Sequence, residues 1–430
     1  MRIGLFTDTF RPSVNGIVFV VESLRRELEA KGHEVFIFCP AKSIRVSKQE
    51  LTEVDDHVFR FPSLKGVFFD DYDTSVFFPP RVVKRIRELD LDVIHVLTPS
   101  QVGLVGIQAA VKSDVPFVMQ HSTDLYEFSA DYPAVLPGVL ALVTLIIPTT
   151  VKLDRQDIRE VLKSYRPRKG AAAWNQDIIR RAVTLIYSKA NAVIALSQKS
   201  ADQLESWQDE TYSYPITIMP NGVDPLPEPS AEELREFRKR YDIKASDEVF
   251  GFVGRLGKEK NLDMLINTFD KVVSARPKAK LMFVGDFEYR EVLEKKAARS
   301  RNRDRIIFTG ALPRESLGVA YGSMDVFVFP SLKDTQGWVL HEAAHAGLPI
   351  VLIDRGVTQV VNDGENGFYV KNNSTDMSEK IIKLLKSKKL RQEMSARSRE
   401  LASRLTEKEQ VSKLEDLYKD IIAQDADSQE

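Results

Sequence analysis

The sequence predicts an α/β chain of two Rossmann-like domains facing an interdomain cleft, on three observations. Short β-rich runs alternate with amphipathic helical stretches through the first half. The alternation pauses at a segment rich in Pro, Glu and Lys, and then it starts again. Strands alternating with helices imply parallel sheets covered on both faces. At 430 residues the chain exceeds what one hydrophobic core usually supports, so two domains are expected.

The elements follow in order. Ile3-Gly4-Leu5-Phe6 reads as the first strand. Residues 15–31 read as a helix, because Val18, Val21, Leu24 and Leu28 recur at helical spacing, and Gly32 stops it. Residues 35–38, 93–96, 116–119, 192–195 and 216–219 are further short strands, and Pro220-Asn221-Gly222-Val223-Asp224 is a loop. The stretch opening Pro225-Leu226-Pro227-Glu228-Pro229 carries the signal of a stiff linker, assigned to residues 225–247. The second series has strands at 249–253, 280–284, 305–308, 326–329 and 349–353, with helices such as 262–274 and 339–346 between them. Residues 408–423 form a charged amphipathic helix. The domains expected are therefore 1–224, with an insertion at about 133–181, and 248–407, joined by 225–247.

Bulk composition narrows the function. A formal net charge of -1 argues against a general nucleic-acid binder. The single cysteine, Cys39, rules out an internal disulfide framework and fits a reducing, cytoplasmic setting. It closes the apolar run 35–38 and reads as buried and inert. Met1-Arg2 runs directly into a strand, which is not the pattern of a signal peptide. No stretch reaches the roughly 18 to 20 apolar residues of a membrane span. The nearest, residues 134–147, is interrupted by Pro137.

The strongest local motif is Val253-Gly254-Arg255-Leu256-Gly257-Lys258-Glu259-Lys260-Asn261-Leu262. A buried strand ends, a glycine-rich turn follows and a helix begins. Backbone N–H groups at a helix start favour anions. Arg255 and Lys260 add full charges and can reach one diphosphate together, each contact contributing roughly 1.5–3 kcal/mol. A second motif, Asp334-Thr335-Gln336-Gly337-Trp338-Val339-Leu340-His341-Glu342, places one carboxylate in a loop and another about one turn into a helix. Such a pair can address two hydroxyl-bearing parts of one ligand, and Gly337 lets backbone amides approach it. Asn15-Gly16 opens a helix after the first strand, where a phosphate can come close to the backbone. His121 follows the strand at 116–119 directly, at the carboxyl end where open α/β sheets bind ligands. No H-E-x-x-H, C-x-x-C or Walker A sequence is present, and no G-x-G-x-x-G follows the first strand.

Together these residues resemble glycosyltransferase family 4, retaining enzymes of the GT-B fold, over nearly the whole chain. The resemblance runs from Asn15-Gly16 and Lys31-Gly32-His33-Glu34-Val35, through Asp92-Val93-Ile94-His95, His121, Pro220-Asn221-Gly222-Val223-Asp224 and Gly254-Arg255. It continues over 334–342 to Asp363-Gly364-Glu365-Asn366-Gly367-Phe368. It implies that Arg255 and Lys260 neutralise the diphosphate of a UDP- or GDP-linked sugar, that Glu342 binds the ribose, and that Asp334 holds the donor sugar. It also implies donor contacts from Gly337, Trp338 and Val339, phosphate approach at Gly16, and a contact of His121 near the reacting carbon. By the same resemblance no metal or other cofactor is needed, and the last helix, 408–424, completes the N-terminal domain. Two positions depart from the family pattern. Asp334 stands where glutamate is most common, one methylene longer, and Gly285-Asp286-Phe287-Glu288 stands where Gly-Asp-Gly-Pro is frequent.

For the acceptor, the wording Asp334-Thr335-Gln336-Gly337 resembles glycolipid-forming members such as diacylglycerol glucosyltransferases. Within 133–181 the apolar run 134–147 is followed by residues 152–181, which hold nine Lys or Arg against four Asp or Glu. Apolar plus basic is the pattern of an interfacial membrane segment; a buried helix followed by a solvated helical face is the other reading. The expectation is a transferase that moves glucose or mannose to a lipid or glycan acceptor, in contact with the cytoplasmic face of a membrane through 134–181. A transferase acting on a soluble or polysaccharide acceptor, a sugar-nucleotide epimerase, and a non-catalytic sugar-nucleotide-binding protein of the same architecture are the competing classes.

Overall fold

The computed structural model describes residues 1–13, 15–41, 56–65, 73–75, 80–99, 101–131, 151, 153–163, 166 and 170–429. The chain divides into two compact units, one of residues 1–221 with 407–430, the other of residues 222–406.

In the first unit the described strands are β1 (Arg2–Phe6), β2 (Glu34–Pro40), β3 (Val58–Phe61), β4 (Ser63–Lys65), β5 (Asp73–Ser75), β6 (Val93–Val96), β7 (Phe117–His121), β8 (Ala192–Ala195) and β9 (Ile216–Ile218). Seven of them form a parallel sheet in the order β3-β2-β1-β6-β7-β8-β9, and β4 pairs with β5 as a small antiparallel ribbon. The central strands are buried along nearly their whole length, as strands of a parallel sheet covered on both faces are, and they are mainly apolar, with His95, Gln120 and His121 the buried polar exceptions in β6 and β7. The helix Gly16–Ala30 starts where the Asn15 side chain accepts the Val18 N–H at 3.1 Å. It buries Val18, Val21, Leu24 and Leu28.

The strand order reverses direction between β1 and β6, and the loops at that switch point are tied by Asp8. Its Oδ1 accepts the Val102 N–H at 2.7 Å and its Oδ2 accepts the Thr98 hydroxyl at 2.6 Å. The last helix, Glu407–Gln429, belongs to this unit. It buries Val411, Leu414, Tyr418 and Ile421, and the Tyr418 hydroxyl meets His95 Nδ1 at 2.6 Å. Glu407 accepts from the Ser23 hydroxyl at 2.6 Å and pairs with Arg26. Glu415 pairs with Lys31 at 2.9 Å and His33 at 3.3 Å. Cys39 is buried, and burial pushes its thiol up to about 12.

In the second unit the strands are β10 (Glu248–Val253), β11 (Ala279–Val284), β12 (Ile306–Phe308), β13 (Val326–Phe329), β14 (Ile350–Leu352) and β15 (Gly367–Tyr369). They form a parallel sheet in the order β12-β11-β10-β13-β14-β15, with the switch point between β10 and β13. Both halves thus have the parallel Rossmann-like sheets that the alternation of elements implies.

The segment expected as a linker, 225–247, differs from that reading. It holds a helix, Ala231–Arg240, opened by a capping box between Ser230 and Glu233. Phe237 and Tyr241 pack against the core of the second unit. The proline stretch before it lies over the helix Leu317–Gly322, where a Cβ on Gly318 would stand 2.5 Å from the Pro227 carbonyl oxygen. Proline stiffens this stretch, which leaves Pro225, Pro227 and Glu228 exposed while Leu226 packs against the core of the second unit.

Candidate active site

The switch point of the second sheet is where its loops diverge to opposite sides, and the sequence-selected cations lie there. β10 ends at Val253, and Gly254 turns the chain with φ +142°. Gly285, at the end of neighbouring β11, has φ +136°, and a Cβ on it would collide with the Gly254 carbonyl oxygen. Only glycine permits this approach. Backbone bonds knit the two loops: Gly254 N–H to Val284 O at 2.9 Å, Leu256 N–H to Asp286 O at 3.1 Å, and Tyr289 N–H to Leu256 O at 3.2 Å. A short 3-10 turn, Lys258–Lys260, follows, and Asn261 adopts the left-handed conformation before the helix Asp263–Ala275. The Asn261 amide donates to the Pro330 carbonyl at 3.2 Å, fastening this turn to the loop after β13.

That fastening brings Lys260 to Asp334. The Nζ–Oδ1 distance is 2.6 Å, and the side chains are 15% and 17% exposed. Arg255 is more open, at 43%. It donates to Glu259 Oε1 at 2.8 Å and lies over the Phe287 ring, 4.6 Å from its centroid.

After β13, Gly337 adopts φ +66° and caps the helix Trp338–His345, with a Cβ there falling 2.6 Å from Leu340 Cδ1. Trp338 and Val339 occupy the first turn, whose N–H groups have no i−4 carbonyl to bond. The Val339 Cγ1 lies 3.9 Å from where a Gly254 Cβ would be, so this helix start stands beside the Gly254 turn. Glu342, one turn on, is buried and receives three donors. Arg314 reaches Oε1 at 2.6 Å, Trp338 Nε1 reaches Oε1 at 3.1 Å, and the Tyr321 hydroxyl reaches Oε2 at 2.9 Å. Burial, and then the Glu342 charge, push the Tyr321 phenol well above its ordinary value, so it remains a donor. A carboxylate offers about four acceptor positions, so one remains for a ligand hydroxyl.

The other two candidates lie in the first unit. Gly16 is exposed at the first position of its helix, and a Cβ there would meet nothing within 4 Å. The fold itself does not demand glycine at that place. His121 ends β7 and is buried, with Nδ1 3.0 Å from the Tyr187 hydroxyl and the ring edge-on to Tyr187 and Trp207. Its Nε2 has no hydrogen-bond partner among the described residues. Burial lowers its pKa, against the opposing pull of the Asp124 charge, so the ring is neutral near pH 7.

The structure thus joins Lys260 to Asp334, Trp338 to Glu342, and Val339 to the Gly254 turn. Sequence reasoning missed Arg314, Tyr321, Glu259 and Phe287. Glu259 had a readable signal, the i,i+4 spacing from Arg255; Arg314 and Tyr321 had none. Among the described residues, no group of three or more His, Cys, Asp or Glu side chains converges as a metal set.

Comparison with known proteins agrees over most of the chain. Residues 14–225 match the family model described as Glycosyltransferase Family 4, and residues 234–401 match the one described as Glycosyl transferases group 1. The alpha-monoglucosyldiacylglycerol synthase of Acholeplasma laidlawii is 26% identical over 98% of this chain and 98% of its own length. A GDP-mannose-dependent alpha-mannosyltransferase of Corynebacterium glutamicum is 25% identical over 86% of this chain and 76% of its own. Among solved structures, sucrose-phosphate synthase from Thermosynechococcus elongatus superposes with a TM-score of 0.68 at 17% identity, covering 98% of this chain and 99% of that one, which shows a shared fold. With two Rossmann-like units of the GT-B type and matches to both halves, the chain belongs to the family 4 glycosyltransferases.

Proposed function

We propose that this glycosyltransferase moves a hexose, glucose or mannose, from a UDP- or GDP-linked sugar to a membrane lipid or glycolipid, with retention at the anomeric carbon. The observation that carries the reading is the Lys260–Asp334 pair at the switch point of the second sheet, with Arg255 on the same turn. An ammonium has three donors, so Lys260 can hold Asp334 and a phosphate oxygen at once. Arg255 and Lys260 supply the positive charge a metal would otherwise bring. Gly337, Trp338 and Val339 present the start of their helix to the donor, Asp334 takes sugar hydroxyls, and Glu342 uses its remaining acceptor position on the ribose. Gly16 offers its helix start to phosphate, and His121 offers Nε2 to the sugar.

The chemistry follows from charge. As the bond from the anomeric carbon to the diphosphate oxygen breaks, negative charge grows on the leaving group, and fixed cations lower that barrier. The acceptor oxygen attacks from the same face, and its proton passes to a phosphate oxygen of the leaving group.

Two observations support a lipid acceptor at a membrane surface. The Acholeplasma laidlawii relative is named for a diacylglycerol product. In the insertion, the helix Arg155–Lys163 leaves Ile158 and Leu162 48% and 59% exposed, with Arg155 and Arg159 exposed on the same face. Apolar side chains flanked by arginines suit an anionic lipid surface. Elsewhere in the insertion Arg181 pairs with Glu160 and Asp177, and Arg180 with Asp177, so those arginines are bound internally. The apolar run 134–147 lies outside the described residues, and among those described no helix is long and apolar enough to cross a membrane.

Incubation with UDP-glucose or GDP-mannose, with and without diacylglycerol vesicles, tests the reading. An α-linked glycolipid that forms only with vesicles is expected. Transfer to soluble glycans alone would remove the lipid acceptor, and interconversion of the nucleotide sugar without any acceptor would remove transfer itself.

A further inference from the structure

We infer that Phe287 and Glu259 are positioning residues that fix the plane of the Arg255 guanidinium for a nucleoside diphosphate. The inference rests on the reading of Arg255 as a diphosphate ligand. Phe287 lies in the loop Gly285-Asp286-Phe287-Glu288, whose departure from the family pattern the donor site described above leaves unused. The geometry gives it a use. The guanidinium carbon of Arg255 lies 4.6 Å from the Phe287 ring centroid, within the range in which a cation is drawn to an aromatic face. Phe287 cannot drift from this place, because its loop is bonded to the Arg255 loop through Leu256 N–H to Asp286 O and Tyr289 N–H to Leu256 O.

Glu259 holds the guanidinium from a second direction. Its Oε1 accepts from Arg255 at 2.8 Å, while the side chain is 8% exposed and Oε2 is buried with no hydrogen-bond partner among the described residues. A buried, half-satisfied carboxylate costs stability, so the arrangement is not explained by folding alone. Gly257 makes room for it, since a Cβ there would collide with the Glu259 carboxylate. Glu259 takes one of the five N–H donors of Arg255, and the guanidinium carbon sits over the Phe287 ring. A long, mobile arginine is thereby held to one orientation before the ligand arrives, and the remaining edge can meet phosphate oxygens bidentately.

Calorimetric titration with UDP and with GDP, alongside kcat and KM, tests this in a double-mutant cycle. Phe287→Leu is expected to weaken nucleotide binding about three- to tenfold, Phe287→Tyr to restore it, and Phe287→Leu to add nothing in an Arg255→Ala background. Glu259→Gln is expected to weaken binding as well, and it carries the test if Phe287→Leu fails to fold. An equal loss from Phe287→Leu in both backgrounds, wild-type affinity in a folded Phe287→Leu protein, or tighter binding in Glu259→Gln would each overturn the inference. Tighter binding would mean that Glu259 competes with phosphate for Arg255. Wild-type affinity in Arg255→Ala would instead remove the underlying diphosphate reading.

Discussion

Lys260 Nζ stands 2.6 Å from Asp334 Oδ1, and this contact joins the loop after β10 to the loop after β13 across the switch point of the second sheet. A charge taken partly out of water and held by its opposite is preorganised, which is what the proposed diphosphate role of Lys260 requires. Lys260→Ala is expected to lower kcat roughly 10²–10³-fold with an unchanged far-UV circular dichroism spectrum. Asp334→Asn should also be impaired. Asp334→Glu, which keeps the charge and adds a methylene, should retain more activity than Asp334→Asn. Initial-rate kinetics on the three proteins decides it, and unchanged turnover in Lys260→Ala would sink the assignment.

Glu342 is held by Arg314, Trp338 and Tyr321. Tyr321→Phe removes the hydroxyl donated to Oε2 and leaves a buried carboxylate oxygen without it, at a cost of about 1–3 kcal/mol. Urea unfolding should show a lower midpoint, and KM for the nucleotide sugar should rise while kcat changes less. A midpoint equal to wild type would mean that the bond contributes nothing net.

Acid should loosen the fold through its buried imidazoles. Burial holds His95 and His341 at about 3, against an ordinary value of 6.5. Between those values the unfolded chain binds more protons than the folded one. This contribution is therefore complete above about pH 6.5 and falls as pH drops toward 3, by up to about 1.4 kcal/mol per pH unit for each group. Urea titrations at pH 7, 6, 5 and 4 should show His95→Gln losing less stability on acidification than wild type. For His121, lowered by the same cause, the acid limb of kcat/KM should lie below pH 6.5.

The carboxylate of Glu415 titrates in the opposite sense. Lys419 and Lys31 hold it at about 2, below the ordinary 4.5. Its contribution is present above about pH 4.5 and is lost as pH falls toward 2. Glu415→Gln should melt below wild type at pH 7, and the difference should shrink toward zero near pH 2. Thermal scans of both proteins across that range check it, and a difference independent of pH would refute the ionic origin.

What could be read in the sequence was whatever has a local period. Val18, Val21, Leu24 and Leu28 announce a helix, and fully buried strands such as β6 and β10 announce parallel sheets, because both patterns are imposed by neighbours along the chain. Arg255 and Lys260 were legible from another local signal, the glycines of the turn at a strand end. The Lys260–Asp334 contact was not, since 74 residues separate the partners. Arg314 and Tyr321 converge on Glu342 only because β12 and the helix Leu317–Gly322 bring them there. The helix Ala231–Arg240 was obscured by the prolines before it, although Ser230 and Glu233 were a usable start signal.

The helix Glu407–Gln429 belongs to the first unit, yet the ribosome reaches it only after all of residues 222–406. At about 5–20 residues per second, the nascent first unit waits on the order of ten to forty seconds for Tyr418 and its neighbours. Over that interval the surface that will bury Tyr418, including His95, stays uncovered, and the second unit receives its last residue, Thr406, before the helix is made. The order of maturation is therefore the reverse of the order of translation. Cutting the gene at residue 221 would yield a first unit lacking its own last wall, which supplying the helix again, fused or as a separate peptide, is expected to restore.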